Sequence, residues 1–461
     1  MGTIFQNDRR DSSIRSAAPI TVRSGDDNIL ATQKPVVEPF YVGPFFRNLQ
    51  ARIDAVHPEE RCAAFGARPL HTALSPRRLF FGTLLSNENI EVLKALAIES
   101  HGVYDVMAFV EANTTFMATP RTLKFKGTPE ADMLKHSNMF GNKTAVHFEY
   151  WLHDWPTLIG MDREAEQRDT ITNMWKEAGM TEQDVGIVAD VDEIVSRDYL
   201  RALQVCDFPQ LRKEKSPSCH TPKIRMTTIQ FEATPYCIKK KSWYHPDVIL
   251  GQCIDGIGNP LGRVKAQKRQ DNGQFGQRAK HYGQSGPDNY PWYIMQSNKF
   301  PLWSANDFRT VPVSTVMANY QEGHRRRRST KAAFGVAYHL HNWFTDLSVL
   351  RNKYATYGHP VADAKRIKLH DIDVDLDIML RCLHGVANTN HGGIVANNHS
   401  QHDNRWYVHD GNVTQFWLNH GGPKPLYFMN QTWSQKRHEW LKDIVAQDEA
   451  MYGSNYSSIT S

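Results

Sequence analysis

The sequence contains no apolar run approaching the roughly 18–20 residues that a bilayer-spanning helix requires. Its opening, MGTIFQNDRRDSSIRSAAPI, has no apolar stretch of the signal-peptide or signal-anchor kind. No transmembrane segment is therefore expected within it. Six cysteines are present, at positions 62, 206, 219, 237, 253 and 382, and no two have the CxxC spacing of zinc sites and redox motifs. Charge of one sign is not concentrated either. A formal net charge of +5 over 461 residues is too mild for a nucleic-acid-binding stripe, although a small cationic excess suits a polyanionic ligand. There is no internal repeat.

What is present describes a chain able to bury a core: 40% hydrophobic and 22% charged residues, with 11% aromatics including 11 Trp. Four of the cysteines (Cys206, Cys219, Cys237, Cys253) fall within about fifty residues. Without metal spacing they fit disulfides of an oxidising compartment, or else free buried thiols. Six Asn-X-Ser/Thr acceptor sites, at Asn113, Asn142, Asn398, Asn412, Asn430 and Asn455, point the same way.

Residues 1–75 read as a polar N-terminal extension, with order beginning near Arg78. Residues 76–446 read as one α/β domain interrupted by a loop-rich insertion at 256–330, and 447–461 as a frayed tail. Within the domain, LFFGTLL (79–85) is a buried strand and Ile90–Ser100 a helix capped by Asn87 or Asn89. Tyr104–Glu111 is the next strand, so the three form a parallel βαβ unit. A helix over 163–178, a strand VGIVA over 185–189 and a helix over 197–205 capped by Ser196 follow. A further strand is expected over 224–231. The basic run 324–328, a helix over 347–354 and the acidic alternation DIDVDLD (371–377) complete the outline. The acidic alternation reads as a solvated strand face or a second cation site.

The sharpest chemical feature is VGIVADVDEIVSRDYL (185–200). An apolar strand delivers Asp190 and Asp192 at its carboxyl end, where open parallel sheets place their ligands. In an extended tip, residues i and i+2 face one way, so two hard oxygen ligands could meet one Mn²⁺ or Mg²⁺. Glu193 follows and could orient a sugar hydroxyl. A strand ending in D-x-D also serves phosphatases of the haloacid-dehalogenase type. That motif, however, stands near the start of its domain, whereas here a βαβ unit precedes it.

Four segments together resemble glycosyltransferase family 17, the β-1,4-mannosyl-glycoprotein 4-β-N-acetylglucosaminyltransferases. They are FFGTLLSNENIEVLKALAIESHGVYDVMAFVEANTTFMATPRTLKF (80–125), EAEQRDTITNMWKEAG (164–179), DVGIVADVDEIVSRDYLRAL (184–203) and GVAYHLHNWFTDLSVLRNKYATYGHP (335–360). In the last, Tyr338 stands where the family usually has Trp. The resemblance implies a GT-A-like nucleotide-sugar-binding fold, a twisted and mostly parallel sheet with helices on both faces. It further implies inverting transfer of N-acetylglucosamine from UDP-GlcNAc, with Mn²⁺ or Mg²⁺, to a mannose-containing N-glycan acceptor, and a Golgi location.

The resemblance and the residue chemistry together nominate Asp190, Asp192 and His339 for the metal. Glu111, Arg168, Asp169, Asp190 and Glu193 are nominated for donor contact. His339 and His341 alternate on one strand and share a face. Glu232, Asp247 and Asp255 are candidates for the base that takes the acceptor proton, and Trp243 and Tyr244 for sugar stacking. The competing expectations are a haloacid-dehalogenase-like phosphatase and a catalytically inactive glycan-binding protein of the same fold.

Overall fold

The structure, a computed structural model, describes residues 39–71, 75–152, 161–208, 223–226, 228–239, 245–254, 256–258, 336–345, 406–408 and 430–452. A few isolated positions, Arg309 among them, are also described. Asp255, Trp243, Tyr244, the basic run 324–328 and DIDVDLD lie outside the described residues. So do most of the expected helix at 347–354 and most of the 256–330 segment.

In chain order the helices are α1 (Pro44–Asp54), α2 (Pro58–Ala64), α3 (Ile90–Ser100), α4 (Pro129–His136), α5 (Met161–Glu177), α6 (Arg197–Val205) and α7 (Gln431–Tyr452). The strands are β1 (Arg68–Pro69), β2 (Leu79–Leu85), β3 (Val106–Ala112), β4 (Ala145–Trp151), β5 (Val185–Val188), β6 (Glu193–Val195) and β7 (Cys206–Asp207). They continue as β8 (Lys223–Met226), β9 (Thr228–Glu232), β10 (Cys237–Lys239), β11 (Asp247–Leu250), β12 (Met317–Ala318), β13 (Ala337–His341) and β14 (Trp406–Val408).

The protein is mixed α/β. Among the described residues a seven-stranded sheet has the order β12-β8-β11-β5-β2-β3-β4, and a five-stranded sheet the order β14-β10-β9-β13-β6. In the larger sheet β5, β2, β3 and β4 run parallel, while β11 is antiparallel to both its neighbours. The smaller sheet is mainly antiparallel, with β9 and β13 parallel. The mostly parallel expectation therefore describes one sheet and not the other.

Alternation along the strands sends side chains to two cores. Phe80, Val110 and Val188 meet Ile171 and Trp175 of α5. Phe81, Phe109 and Ile187 meet Val92 and Leu96 of α3 and Leu203 of α6 on the opposite face. Each such side chain, fully buried, contributes about 1.5–3 kcal/mol. Helix α5 can approach closely because β2 and β5 carry glycines beneath it. A Cβ at Gly82 would stand 2.1 Å from Ile171 Cγ2, and one at Gly186 2.4 Å from Trp175 Cζ3. Trp175 is seated there by donating Nε1–H to the Phe81 carbonyl at 3.1 Å. This seating fixes the register of α5 against the sheet and so the position of Arg168, two turns earlier.

The stretch read as an extension contains α1 and α2. Their polar composition hides a docking face held by charges: Arg61 pairs with Asp198, and Asp54 receives Arg197 (2.6 Å) and Arg201 (2.9 Å) from α6. Cys62 is joined to Cys206 across 144 residues. The bridge thus leaves the expected cysteine cluster, and Cys253 is disulfide-bonded as well. At the other end, α7 runs to Tyr452 and extends beyond the expected start of the tail. Of the acceptor asparagines described, Asn142 is exposed. Asn430 caps α7 through Trp433 N–H, and Asn113 Oδ1 is buried.

Glu99, wholly buried on α3, ties three distant segments together. It accepts from Tyr338 Oη at 2.7 Å, Arg197 N at 3.0 Å and Leu426 N. Tyr338 is what supplies a hydroxyl to this acid. Burial pushes Glu99 up to about 7 against the opposing pull of those donors.

Two outcomes follow. The double variant C62S/C206S should lose about 2–4 kcal/mol of stability, the usual worth of a bridge closing a long loop. Urea unfolding with and without reductant reads this, and an unchanged midpoint would mean the bridge does not hold α2. Because Glu99 titrates higher folded than unfolded, its contribution is complete below about pH 4.5 and is lost as pH rises towards about 7. E99Q should flatten that part of the pH–stability curve.

Candidate functional site

Among the described strands the chain leaves the larger sheet for the smaller one three times, between β5 and β6, between β8 and β9 and between β12 and β13. The Asp190–Asp192 segment is the first of these junctions, at the carboxyl end of β5. The segment is not extended: Glu193 N–H donates to the Asp190 carbonyl at 2.9 Å, closing a turn. A turn breaks the i, i+2 alternation, and the two aspartates diverge.

Asp190 goes to cations. Its Oδ1 accepts from Arg168 Nη2 at 2.6 Å and its Oδ2 from Arg309 Nη2 at 2.7 Å. Arg309 also forks onto the wholly buried Glu193, with Nη1 to Oε2 and Nη2 to Oε1 both at 2.9 Å. Glu193 Oε2 in addition takes the Asp190 N–H at 2.8 Å. Arg168 is closed on its other side by Glu164 one helical turn away, at 2.6 Å. Desolvation alone would raise Asp190, but Arg309 and Arg168 outweigh it and hold the carboxyl well below its usual range. Desolvation likewise opposes the charge on Arg309, and Asp190 and Glu193 together raise it well above its ordinary value.

Asp192 goes the other way, towards β13. His339 Nε2 lies 3.3 Å from Asp192 Oδ2, and the Leu340 N–H donates to the Asp192 carbonyl at 2.8 Å. The His339 and His341 rings meet edge to face at 5.4 Å. Their shared face was legible from the alternation in YHLHNWF. Among the described residues no group of three or more His, Cys, Asp or Glu is arranged to hold a metal ion. The set expected for the metal is thus divided, with Asp192 and His339 together and Asp190 taken by guanidiniums.

The other nominated residues fall into two groups. Glu111 is wholly buried and accepts from the N–H groups of Lys124 (2.5 Å) and Phe125 (3.1 Å), so it organises the 124–125 backbone at the end of β3. Burial raises it against those donors. Asp169 lies next to Arg168 on α5 and is half-buried, its carbonyl accepting from Thr172 Oγ1 at 2.7 Å. Two base candidates are each enclosed and each joined to a histidine. Glu232 accepts from Asn342 Nδ2 at 2.6 Å and sits 2.7 Å from His341 Nδ1. Asp247 sits 2.5 Å from His245 Nδ1, with Arg225 Nε at 3.7 Å.

Three residues of this edge are absent from the sequence reading. Arg309 comes from the segment taken as an insertion, and no periodicity marks it. His245 precedes Pro246 with no motif around it. Glu88 follows β2, its carboxylate taking the Ser86 N–H. Burial pushes Glu88 up to about 7, with Asp192 adding to the rise while Ser86 and Arg121 oppose it.

The Arg309 fork gives a direct test. R309M should destabilise the protein by about 3–5 kcal/mol, because it leaves Glu193 buried without its partner. R309K, which keeps the charge but not the planar fork, should fall between. Urea midpoints measure both, and a neutral R309M would mean that Glu193 has another counter-charge.

A comparison with curated proteins finds no match. The family model described as Glycosyltransferase family 17 matches residues 44–215, which run from the start of α1 through β7 and contain Asp190, Asp192 and Arg168. Over that stretch the chain is similar to glycosyltransferase family 17.

Proposed function

We propose that the protein is an inverting N-acetylglucosaminyltransferase that moves N-acetylglucosamine from UDP-GlcNAc to a mannose-containing N-glycan, inside an oxidising secretory compartment such as the Golgi lumen. The observation that carries this reading is the Asp192–His339 pair at the carboxyl end of β5, beside a buried ion cluster. Two buried guanidiniums, Arg168 and Arg309, stand on one side of the 190–193 turn, and the Asp192–His339 pair stands on the other. Arg168 and Arg309 are occupied by Glu164, Asp190 and Glu193, so their part is to fix the turn beside which a donor diphosphate would lie. The Cys62–Cys206 bridge supports the oxidising compartment.

Asp192 and His339 offer one hard oxygen and one imidazole nitrogen, a donor pair suited to Mn²⁺ or Mg²⁺, ions that take their remaining positions from water and substrate phosphates. When bound, such an ion supplies positive charge to a departing diphosphate. The protein's own contribution is positional. The turn aims Asp192 at β13, β13 presents His339 to it, and the Asp190–Arg309–Glu193 cluster keeps the turn closed. Both oxygens of Asp190 being held by guanidiniums weighs against phosphatase chemistry, which needs that residue as a nucleophile.

The test is UDP release and sugar transfer from UDP-GlcNAc with Mn²⁺ and N-glycan acceptors. Activity is expected in the wild type. D192A should lower kcat by about a hundredfold or more, on the scale of removing a charge-stabilising group. No UDP release with any acceptor would sink the reading, and full activity in D192A would remove the metal assignment.

A further inference from the structure

The nominated carboxylates Asp247 and Glu232 share a difficulty as bases. Asp247 has 0% side-chain exposure and Glu232 4%, so neither presents its oxygens to an incoming acceptor. Each does, however, touch a histidine that is only half-buried: His245 at 21% and His341 at 27% exposure. His245 has the environment of a proton acceptor beside the 190–193 turn. β11 pairs with β5 in the register Asp247↔Val188, two residues before Asp190, so the chain preceding Asp247 runs alongside the end of β5. The His245 backbone is anchored there by Thr228 Oγ1, which donates to its carbonyl at 2.6 Å.

We propose that His245, oriented by Asp247, is the catalytic residue that takes the proton from the acceptor hydroxyl; this rests on the glycosyltransferase reading above. An ionised carboxylate can only accept, so the Nδ1 that faces Asp247 carries the hydrogen and Nε2 keeps its lone pair. In the step, the acceptor O–H bond breaks and its proton passes to Nε2. The oxygen electron pair forms the new bond to the anomeric carbon. The bond from that carbon to the diphosphate oxygen breaks, and its electron pair leaves with UDP. The imidazolium then returns its proton to water, and Asp247 stabilises it meanwhile.

The charges facing His245 are Asp247 on β11, Arg225 on β8 against Asp247, Asp190 at the end of β5, Glu193 on β6, and Arg309. Burial lowers the imidazole first and Arg309 lowers it further, while Asp247 and Glu193 oppose. The balance leaves it below the ordinary histidine value, hence neutral and able to accept near pH 7. Asp247 acts as a positioning residue, fixing the tautomer and the ring plane.

The experiment uses the full chain and reads two quantities separately, UDP binding by calorimetry and sugar transfer from UDP-GlcNAc. H245A should bind UDP within about threefold of wild type while kcat for transfer falls by about 10²–10⁴-fold, the range for losing a general base. H245Q, which retains a donor towards Asp247, should fall as far, guarding against loss by misfolding. Added imidazole should restore part of the rate in H245G. D247N should keep the ring but move the acidic limb of the kcat/KM profile to lower pH, since an anion that favours the imidazolium is gone.

Wild-type turnover in H245A and H245Q would overturn the assignment and leave the donor reading standing. Transfer lost in H341A but retained in H245A would place the base at the Glu232–His341 pair and overturn it equally. Absence of both UDP binding and UDP release in the wild type would overturn the donor reading, and this assignment with it.

Discussion

The structure around the 190–193 turn depends on one buried ion cluster. Glu193 is fully buried at the start of β6, and an isolated carboxylate there would be too costly to keep ionised. The Arg309 fork is its counter-charge, and Arg309 in turn holds Asp190, which holds Arg168. The chain of charges therefore links α5, the end of the larger sheet and the first strand of the smaller one. The geometry of each member is set by the need to satisfy the next. Such clusters contribute little net stability compared with apolar packing. What this one does is forbid other arrangements of the turn, and the turn is what separates Asp190 from Asp192.

Packing beneath the cluster makes it possible. Gly82 and Gly186 lie on adjacent strands and remove the Cβ atoms that would otherwise keep Ile171 and Trp175 at a distance. With α5 seated that deeply, Arg168 reaches the end of β5. On the opposite face, Glu99 joins the N-terminus of α6, β13 and the 426–427 segment. Because β13 also carries His339 and His341, the same buried acid helps position the histidines that face Asp192 and Glu232. The two faces of the larger sheet thus control the two sides of the site.

Local order was legible where a local rule decides it. Ile90–Ser100 forms to the residue because its apolar period and the Asn89 cap, which accepts from Glu91 N–H, are contained in the segment. Arg197–Val205 was equally legible as a helix with Ser196 at its N-cap position, but the capping bond was not. Ser196 spends its hydroxyl on the Val336 carbonyl, and Glu99, 98 residues upstream, takes the Arg197 N–H instead. The apolar run at 224–231 looked like one strand and is two, β8 and β9, in different sheets. Nothing in its hydrophobicity marks a change of sheet. Arg309 and His245 were illegible for the same reason, since their roles come from pairings with residues distant in sequence. The D-x-D motif was correctly located, and its alternation was misread because a turn hydrogen bond outranks the period of two.

Enclosure also explains why half-buried histidines, and not the acids, are the more accessible groups at this site. A carboxylate wholly out of water must have its oxygens occupied, and once occupied they are unavailable to a substrate. Asp247 and Glu232 are both out of water, and each has an imidazole as one of its partners. An imidazole is well suited to the arrangement because its two nitrogens separate the tasks. One satisfies the buried anion while the other faces the opposite way across the ring. The acid then acts at a distance of one ring width, by orientation and by stabilising charge, without losing its own hydrogen bonds. The two pairs differ in what surrounds them: His341 lies against His339 and the Asp192 side of the turn, and His245 lies within the field of Arg309 on the Asp190 side. The proposed proton-accepting role falls to the pair on β11 because the register Asp247↔Val188 carries His245 alongside the end of β5 and the 190–193 turn.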